Sequence, residues 1–252
     1  MFSRLLTVVA LIVLLIQFAF GQAEVEETSV DFTISPSVIQ QGKIHVSYEW
    51  LTPDEFRKTQ LSVMDLVKVK DMAQGKNQLV ASKLAFTTKK SFDELAFDKL
   101  NTPDYITNML NSVSISQKAA ASWRVTNKVK AYGLPFKVSF DFDFKEVSAS
   151  SLPAATLNYF KDEASVIKSS GRERILILDM SKFTQLIYRN YSIVYMKEIS
   201  ANETLIVSGV VAGIDINKAN GYFNYPPFSR TETTLMNNLR RQIIHMAREI
   251  QN

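Results

Sequence analysis

Apolar and polar residues alternate through the middle of the chain. Trp123, Val125, Val129 and Ala131 take turns with Arg124, Thr126, Lys128 and Lys130. After Gly133-Leu134-Pro135, Val138, Phe140, Phe142 and Phe144 take turns with Ser139, Asp141, Asp143 and Lys145. A period of two is that of a half-buried strand, so these runs predict an antiparallel hairpin with one apolar and one polar face. The basic face of the first strand beside the acidic face of the second is a favourable cross-strand arrangement. Ile44, Val46, Tyr48 and Trp50 alternate in the same way with His45, Ser47 and Glu49. Strands are further predicted over Leu61 to Lys70 and Leu79 to Thr88, joined around Gly75-Lys76-Asn77 as a hairpin. Three more follow at Ile175 to Leu178, Leu186 to Ile199 and Thr204 to Ile216. Gly209 and Gly213 mark the last of these for a bulge or a close approach of the final helix.

Helical signals punctuate the strands. Thr52-Pro53-Asp54-Glu55 offers Thr as cap, Pro at the first position and Glu at the third. Ser91 and Glu94 fit a capping box that leads a short helix with Phe92, Leu95, Ala96 and Leu100 on one face. Thr102-Pro103-Asp104 starts another, with Ile106, Met109 and Leu110 inward, and a further short helix covers Ala154 to Glu163. The longest periodic stretch is the last, Ser229 to Gln251, after Tyr225-Pro226-Pro227-Phe228. Ser229 and Glu232 fit a capping box there. Leu235, Leu239, Ile243, Met246 and Ile250 then recur at three- and four-residue steps, widened by Met236 and Ala247. This predicts an amphipathic helix of about six turns. Its stripe is wide enough to need a β-sheet as partner.

The N-terminus changes the compartment. Met1 to Gly21 has a positive Arg4, an apolar run from Leu5 to Ile16, and Ala19-Phe20-Gly21 with small residues at −3 and −1. It reads as a secretory signal cleaved before Gln22, leaving residues 22–29 as a mobile acidic N-terminus and 30–252 as one α+β domain. No other stretch approaches spanning length, so the mature chain is expected to have no transmembrane span. The 252 residues include no cysteine, which closes disulfides, thiol catalysis and Cys-based metal sites. That absence leans the reading toward a bacterial periplasmic or secreted setting. Asn190-Tyr191-Ser192 and Asn202-Glu203-Thr204 are sequons that matter only in a eukaryotic secretory pathway. The net charge of +4 is mild, and basic residues are scattered among acidic ones, so nucleic acid is not an expected partner.

Catalytic motifs are absent from the sequence: no G-x-S-x-G, no dinucleotide fingerprint and no P-loop. His45 and His245 are the only histidines and lack ligand spacing, so no metal and no cofactor is expected. Asp141 and Asp143 point to one face about 7 Å apart, a spacing open to a glycosidase-type pair, a cation site or a solvated strand face. Arg189 reads either as an anchor for an anionic head group inside a cavity or as the partner of an acid on the outer face. Trp123, Phe140, Phe142, Phe144 and Tyr195, with Met236, Leu239 and Ile243 of the final helix, form one candidate apolar set. Filled, their shared space is a core; open, it is a pocket for lipid-like molecules.

The order of the last third carries a resemblance. Arg174 to Met180, Tyr188 to Ile199 and Leu205 to Ile216 are strands, Gly221 to Phe228 is a Pro-containing loop, and Ser229 to Gln251 is a long helix. This resembles the C-terminal half of the helix-grip, or START-like (SRPBCC-type), superfamily of lipid-transfer and polyketide-cyclase domains. The overall look is also similar to exported bacterial proteins of unknown function. The resemblance implies an antiparallel sheet curved around a long C-terminal helix, with an apolar ligand often held between them and no invariant catalytic set. Three functions are then open. The first is an exported, non-enzymatic carrier of a hydrophobic ligand, with Trp123, Phe140, Phe142, Phe144, Arg189, Tyr195, Met236, Leu239 and Ile243 around the cavity. The second is a cell-envelope structural or interaction protein with a filled core. The third is a hydrolase using Asp141 and Asp143.

Overall fold

The computed structural model describes residues 25–27, 44–63, 78–110, 112–131, 134–164, 170–184, 187–214 and 243–251. Among the described residues nine strands form one sheet: β1 (Val25–Glu27), β2 (Ile44–Leu51), β3 (Gln78–Thr88), β4 (Ser114–Ala119), β5 (Ser122–Ala131), β6 (Leu134–Val147), β7 (Glu173–Ser181), β8 (Ile187–Ser200) and β9 (Glu203–Ile214). Their order is β1-β2-β3-β9-β8-β7-β6-β5-β4. All pairs are antiparallel except β1 with β2.

The helices are α1 (Pro53–Phe56), α2 (Phe97–Leu100), α3 (Pro103–Leu110), α4 (Ala154–Ala164) and the C-terminal helix, residues 243–251. After β3 the chain leaves the middle of the sheet through α2 and α3 and restarts at the far edge as β4. From there it meanders back, strand by strand, until β9 closes against β3. A meander that starts at the far edge and returns to β3, with the C-terminal helix on one face, is the α+β helix-grip architecture that the strand order of the last third implied. Among the described residues no helix is long and apolar enough to cross a membrane.

Both faces of the sheet are covered. On one lie Val46, Leu84, Phe86, Trp123, Phe140, Phe142, Phe144, Leu178, Val194 and Ile206, packed under α2, α3 and the C-terminal helix. On the other lie Leu79, Ala81, Ile177, Tyr191, Ile193, Tyr195, Val207 and Val211, under α1, the 3-10 turn Gln60–Val63 and α4. The second layer overturns one expectation about polarity. His45 and Ser47 alternate with Ile44 and Val46, yet both are fully buried, because the face they occupy is also roofed.

Local signals decide the short elements. Thr52 and Glu55 exchange the bonds of a capping box at α1, Glu55 N–H to Thr52 Oγ1 at 3.3 Å and Thr52 N–H to Glu55 Oε2 at 2.7 Å. Ser91 and Glu94 do the same, but residues 92–95 make only a turn, and the helix α2 begins after Ala96. The hairpin of β5 and β6 pairs Trp123 with Phe142, Arg124 with Asp141 and Val125 with Phe140. The strand expected to start at Leu61 begins instead as the 3-10 turn, and β3 is paired on its two sides by β2 and β9. Residues 64–77 lie outside the described residues. So does 215–242, which holds the Pro-containing loop, Met236, Leu239 and the predicted start of the last helix. So does the expected signal, 1–21. Val25–Glu27, placed by the sequence in a mobile N-terminus, pairs in parallel with β2 and satisfies part of that strand's open edge. The register irregularity predicted near Gly213 falls opposite it, between Ile187 and Arg189 of β8.

Candidate functional site

An apolar cavity of about 60 Å³ lies between the sheet and the helices on the first face. Its floor comes from alternate residues of five strands. Val80, Leu84 and Phe86 come from β3, Leu176 and Leu178 from β7, and Val194 from β8, with Ile206 of β9 and Phe144 of β6. Leu100, Met109 and Tyr105 close one side and Ile243, Met246, Ala247 and Ile250 the other. Methionine is over-represented in this wall. Met109, Met180, Met196 and Met246 all line it, out of eight in the whole chain.

Small residues make the space. Ser82 of β3 and Ser192 of β8 flank Val210 of β9, each directly paired with it, and Ser208 sits one step along the same face. Side chains of that size leave volume that leucines would occupy. Their hydroxyls are already used: Ser82 Oγ donates to Ser47 O at 3.0 Å, and Ser192 Oγ lies 3.3 Å from both Ser208 Oγ and Gly209 O. The serines therefore interrupt an otherwise mostly apolar floor with their hydroxyls already bonded, and Asn190 is the other polar side chain from the strands that lines it.

Leu100 and Tyr105 also line a second, open cleft of about 430 Å³, together with Lys90, Ser91, Asp93, Glu94, Leu95 and Lys99. Here the end of the C-terminal helix is tied to the end of β3. Thr88 Oγ1 donates to Ile250 O at 3.2 Å, Lys90 Nζ to Glu249 O at 3.2 Å, and Gln251 Nε2 to Thr87 O at 3.2 Å. Lys90 thus caps the carbonyl end of that helix, where a cation is favoured. Burial pushes the Tyr105 hydroxyl well above the ordinary phenol range, and the nearby Glu249 carboxylate adds to the effect.

The aromatic set predicted from the sequence divides. Phe144 and Ile243 line the cavity. Trp123, Phe140 and Phe142 are buried on the same face but beside the cavity, in the core under α2 and α3. Trp123 spends its indole N–H on Asn101 Oδ1 at 2.9 Å. Tyr195 lies on the opposite face with Ile175 and Ile193, and is no part of this site. Strand β8 is apolar on both sides, so its period marked two faces without saying which one meets the C-terminal helix. Arg189 shares that back face and grips Asp179 with Nε at 2.7 Å and Nη2 at 2.5 Å, so it anchors an outer-face acid rather than a ligand in the cavity. Among the residues missed, Ser82, Leu84, Phe86, Met180, Met196 and Ser208 lie on strands buried on both faces, whose sequence does not say which face meets the helix, and Leu100, Tyr105 and Met109 come from α2 and α3.

Asp141 and Asp143 do not form a paired site. Asp141 is buried and surrounded by three cations: Lys118 at 2.8 Å, Arg124 at 2.9 Å and Lys182 at 3.2 Å. Burial alone would raise its pKa, but hydrogen bonds from Lys118, Arg124 and Lys182 outweigh that and draw it down to about 2. A carboxyl so held has no proton to give near neutral pH. Asp143 is exposed on the strand beyond it. His45 lies on the back face and His245 on the C-terminal helix of the other, 3.9 Å from Glu249, so the sheet separates the two histidines. Among the described residues, no three His, Asp or Glu side chains converge as a metal site.

No protein-family model and no curated protein matches this chain. Solved structures do. The Zhui aromatase/cyclase from Streptomyces sp. R1128 aligns at 8% identity over 69% of this chain and 92% of its own, with a TM-score of 0.44. A conserved protein from Geobacillus kaustophilus aligns at 8% identity over 69% and 94%, with a TM-score of 0.40. A START superfamily protein from Mycobacterium smegmatis aligns at 6% identity over 68% and 94%, with a TM-score of 0.39.

Proposed function

We propose that this protein is an exported, non-catalytic binding domain that takes a hydrophobic, lipid-like molecule between its sheet and its C-terminal helix. The observation that carries the reading is the apolar cavity under residues 243–250, whose floor is interrupted by Ser82, Ser192 and Ser208 where large side chains would fill a core. At about 60 Å³ the empty cavity is small. A dry cavity that holds benzene is roughly 150 Å³. Binding therefore requires the wall to widen, and the four methionines supply the means. Methionine is unbranched, with three rotatable bonds and a polarisable sulfur, and re-seats at low cost. Export is proposed from Met1 to Gly21, whose charged start, apolar run and small residues have the form of a cleaved signal. The non-catalytic reading is supported by the capture of Asp141 in three ion pairs, which leaves the strongest carboxylate candidate without a proton to transfer.

The test is native mass spectrometry of the protein purified from its own host, with organic extraction of what co-purifies. A stoichiometric apolar adduct is expected. A clean apo mass, together with no uptake of the neutral apolar dye N-phenyl-1-naphthylamine, would overturn the reading in favour of an envelope protein with a filled core.

A further inference from the structure

The cleft beside the cavity says what kind of head such a molecule carries. This inference rests on the binding reading above. Leu100 and Tyr105 belong to both walls, so the apolar cavity and the open cleft are neighbours across two side chains. A molecule with its chain in the first has its head in the second.

The hydrogen-bonding capacity left in the cleft is weighted toward donors. Of its two acids, Asp93 is engaged through both oxygens and Glu94 through one. Glu94 Oε2 accepts from Ser91 N–H at 2.7 Å and from Ser91 Oγ at 2.8 Å. Both carboxylate oxygens of Asp93 accept from Arg172, at 2.8 and 3.2 Å. The donors are not engaged to the same degree. Lys99 is exposed and makes no ion pair among the described residues. Lys90 gives one of its three N–H groups to Glu249 O. The Tyr105 hydroxyl is buried without a hydrogen-bond partner among the described residues. Two ammonium groups and a phenol, against one acid, Glu94, that is bonded through a single oxygen and lies near Lys90, favour a group that accepts and carries negative charge.

We propose that the ligand is an anionic amphiphile, its carboxylate or phosphate held by Lys99, Lys90 and Tyr105 in the cleft and its hydrocarbon chain in the cavity. Lys99 supplies charge without structural duty. Lys90 supplies charge while capping the C-terminal helix, so head-group binding and the docking of that helix share one side chain. Tyr105 stands at the boundary, its ring against the apolar wall and its hydroxyl a donor for the head.

The experiment is displacement of N-phenyl-1-naphthylamine from the purified protein by dodecanoate, dodecyl phosphate and dodecan-1-ol, each below its aggregation limit, with inorganic phosphate as the headless control. The acid and the phosphate ester are expected to displace the dye at concentrations about tenfold or more below the alcohol, as charge-assisted hydrogen bonds warrant. Lys99→Gln, at an exposed position with no ion pair to lose among the described residues, is expected to cut that preference several-fold, read as the ratio of acid to alcohol within the one variant. Tyr105→Phe is expected to lower it without touching any charge, and Lys99→Arg to restore it. Equal displacement by acid and alcohol, or a preference untouched in both Lys99→Gln and Tyr105→Phe, would overturn the head-group assignment and leave the cavity reading standing. Displacement by inorganic phosphate alone at the same concentrations as the amphiphiles would overturn the link between cleft and chain. Failure of the wild-type protein to take up the dye would remove the cavity reading itself.

Discussion

Arg124 and Asp141 face each other directly across the β5–β6 pair, guanidinium to carboxylate at 2.9 Å. Lys118 from the edge strand and Lys182 from the end of β7 close on the same carboxylate. Lys182 does so with its backbone in the left-handed region, φ 52°, and its carbonyl accepts from Arg124 at 3.4 Å. One buried acid therefore gathers three elements at the edge of the sheet. Because its folded pKa lies below the unfolded value, it adds stability above the ordinary carboxylate range and loses it as pH falls toward 2. The shift corresponds to about 2 kcal/mol at neutral pH, and solvent around the exposed lysines reduces this to about 1. Asp141→Asn is expected to lower the unfolding free energy from urea titration by that amount at pH 7 and to match wild type near pH 2. An equal loss at both pH values would show that packing, not charge, is at stake.

How far this hairpin was legible follows from its chemistry. Alternation alone set Phe140, Phe142 and Phe144 on one side and Asp141 and Asp143 on the other, and the β5–β6 register agrees. β4 was invisible, because Ser114–Ala119 is an edge strand with mostly exposed side chains and no apolar period. The cavity was half legible. The C-terminal stripe announced Ile243, but β3, β7 and β9 are apolar on both faces, and a strand buried twice carries no signal for which side holds the ligand. Tyr195 went astray because β8 is likewise buried on both faces, and Arg189 took the outer-face acid that the sequence had left open as its alternative.

Gly171 approaches the backbone of β8 more closely than any other residue type permits. A Cβ there would lie 2.0 Å from the carbonyl oxygen and 2.8 Å from the carbonyl carbon of Glu198. That strand cannot retreat, since Glu198 N–H bonds Arg172 O at 2.9 Å and the Glu198 side chain grips Arg172. Gly171→Ala is expected to cost about 1–3 kcal/mol through overpacking. Ser170→Ala, one residue earlier and exposed, is the control. Equal urea midpoints for the two variants would refute the close approach.

Asn101 bridges two turns. Its Oδ1 accepts from the Trp123 indole at 2.9 Å, and its Nδ2 donates to Ala120 O at 2.9 Å. It ends α2, which roofs the cavity, so the β4–β5 turn and the roof are joined through one amide. Asn101→Ala leaves a buried indole N–H unsatisfied and is expected to cost about 1–3 kcal/mol. Asn101→Asp keeps the acceptor for Trp123 and loses only the donor, so its loss is expected to be smaller. The check is thermal unfolding followed by Trp fluorescence, and the reverse order would place the main contribution on the Ala120 side.

Ser208 offers the sharpest separation of cavity from core. It is buried on the floor, beside Ser192 at 3.3 Å, and its neighbours on that face are Leu84, Val194 and Ile206. Ser208→Leu puts hydrocarbon into the space where the proposed chain lies. If the space is a binding cavity, the variant folds with equal or higher stability, because the void is filled and the lining side chains find apolar atoms to pack on, while dye uptake and the extracted adduct are lost. If the space is already committed to packing, the added carbons have nowhere to go, and the variant loses about 1–3 kcal/mol from overpacking. Unfolding midpoint and dye titration on one sample decide between the two. A stable variant that no longer binds is the expected result; a destabilised variant that binds as before would assign the ligand to another part of the fold.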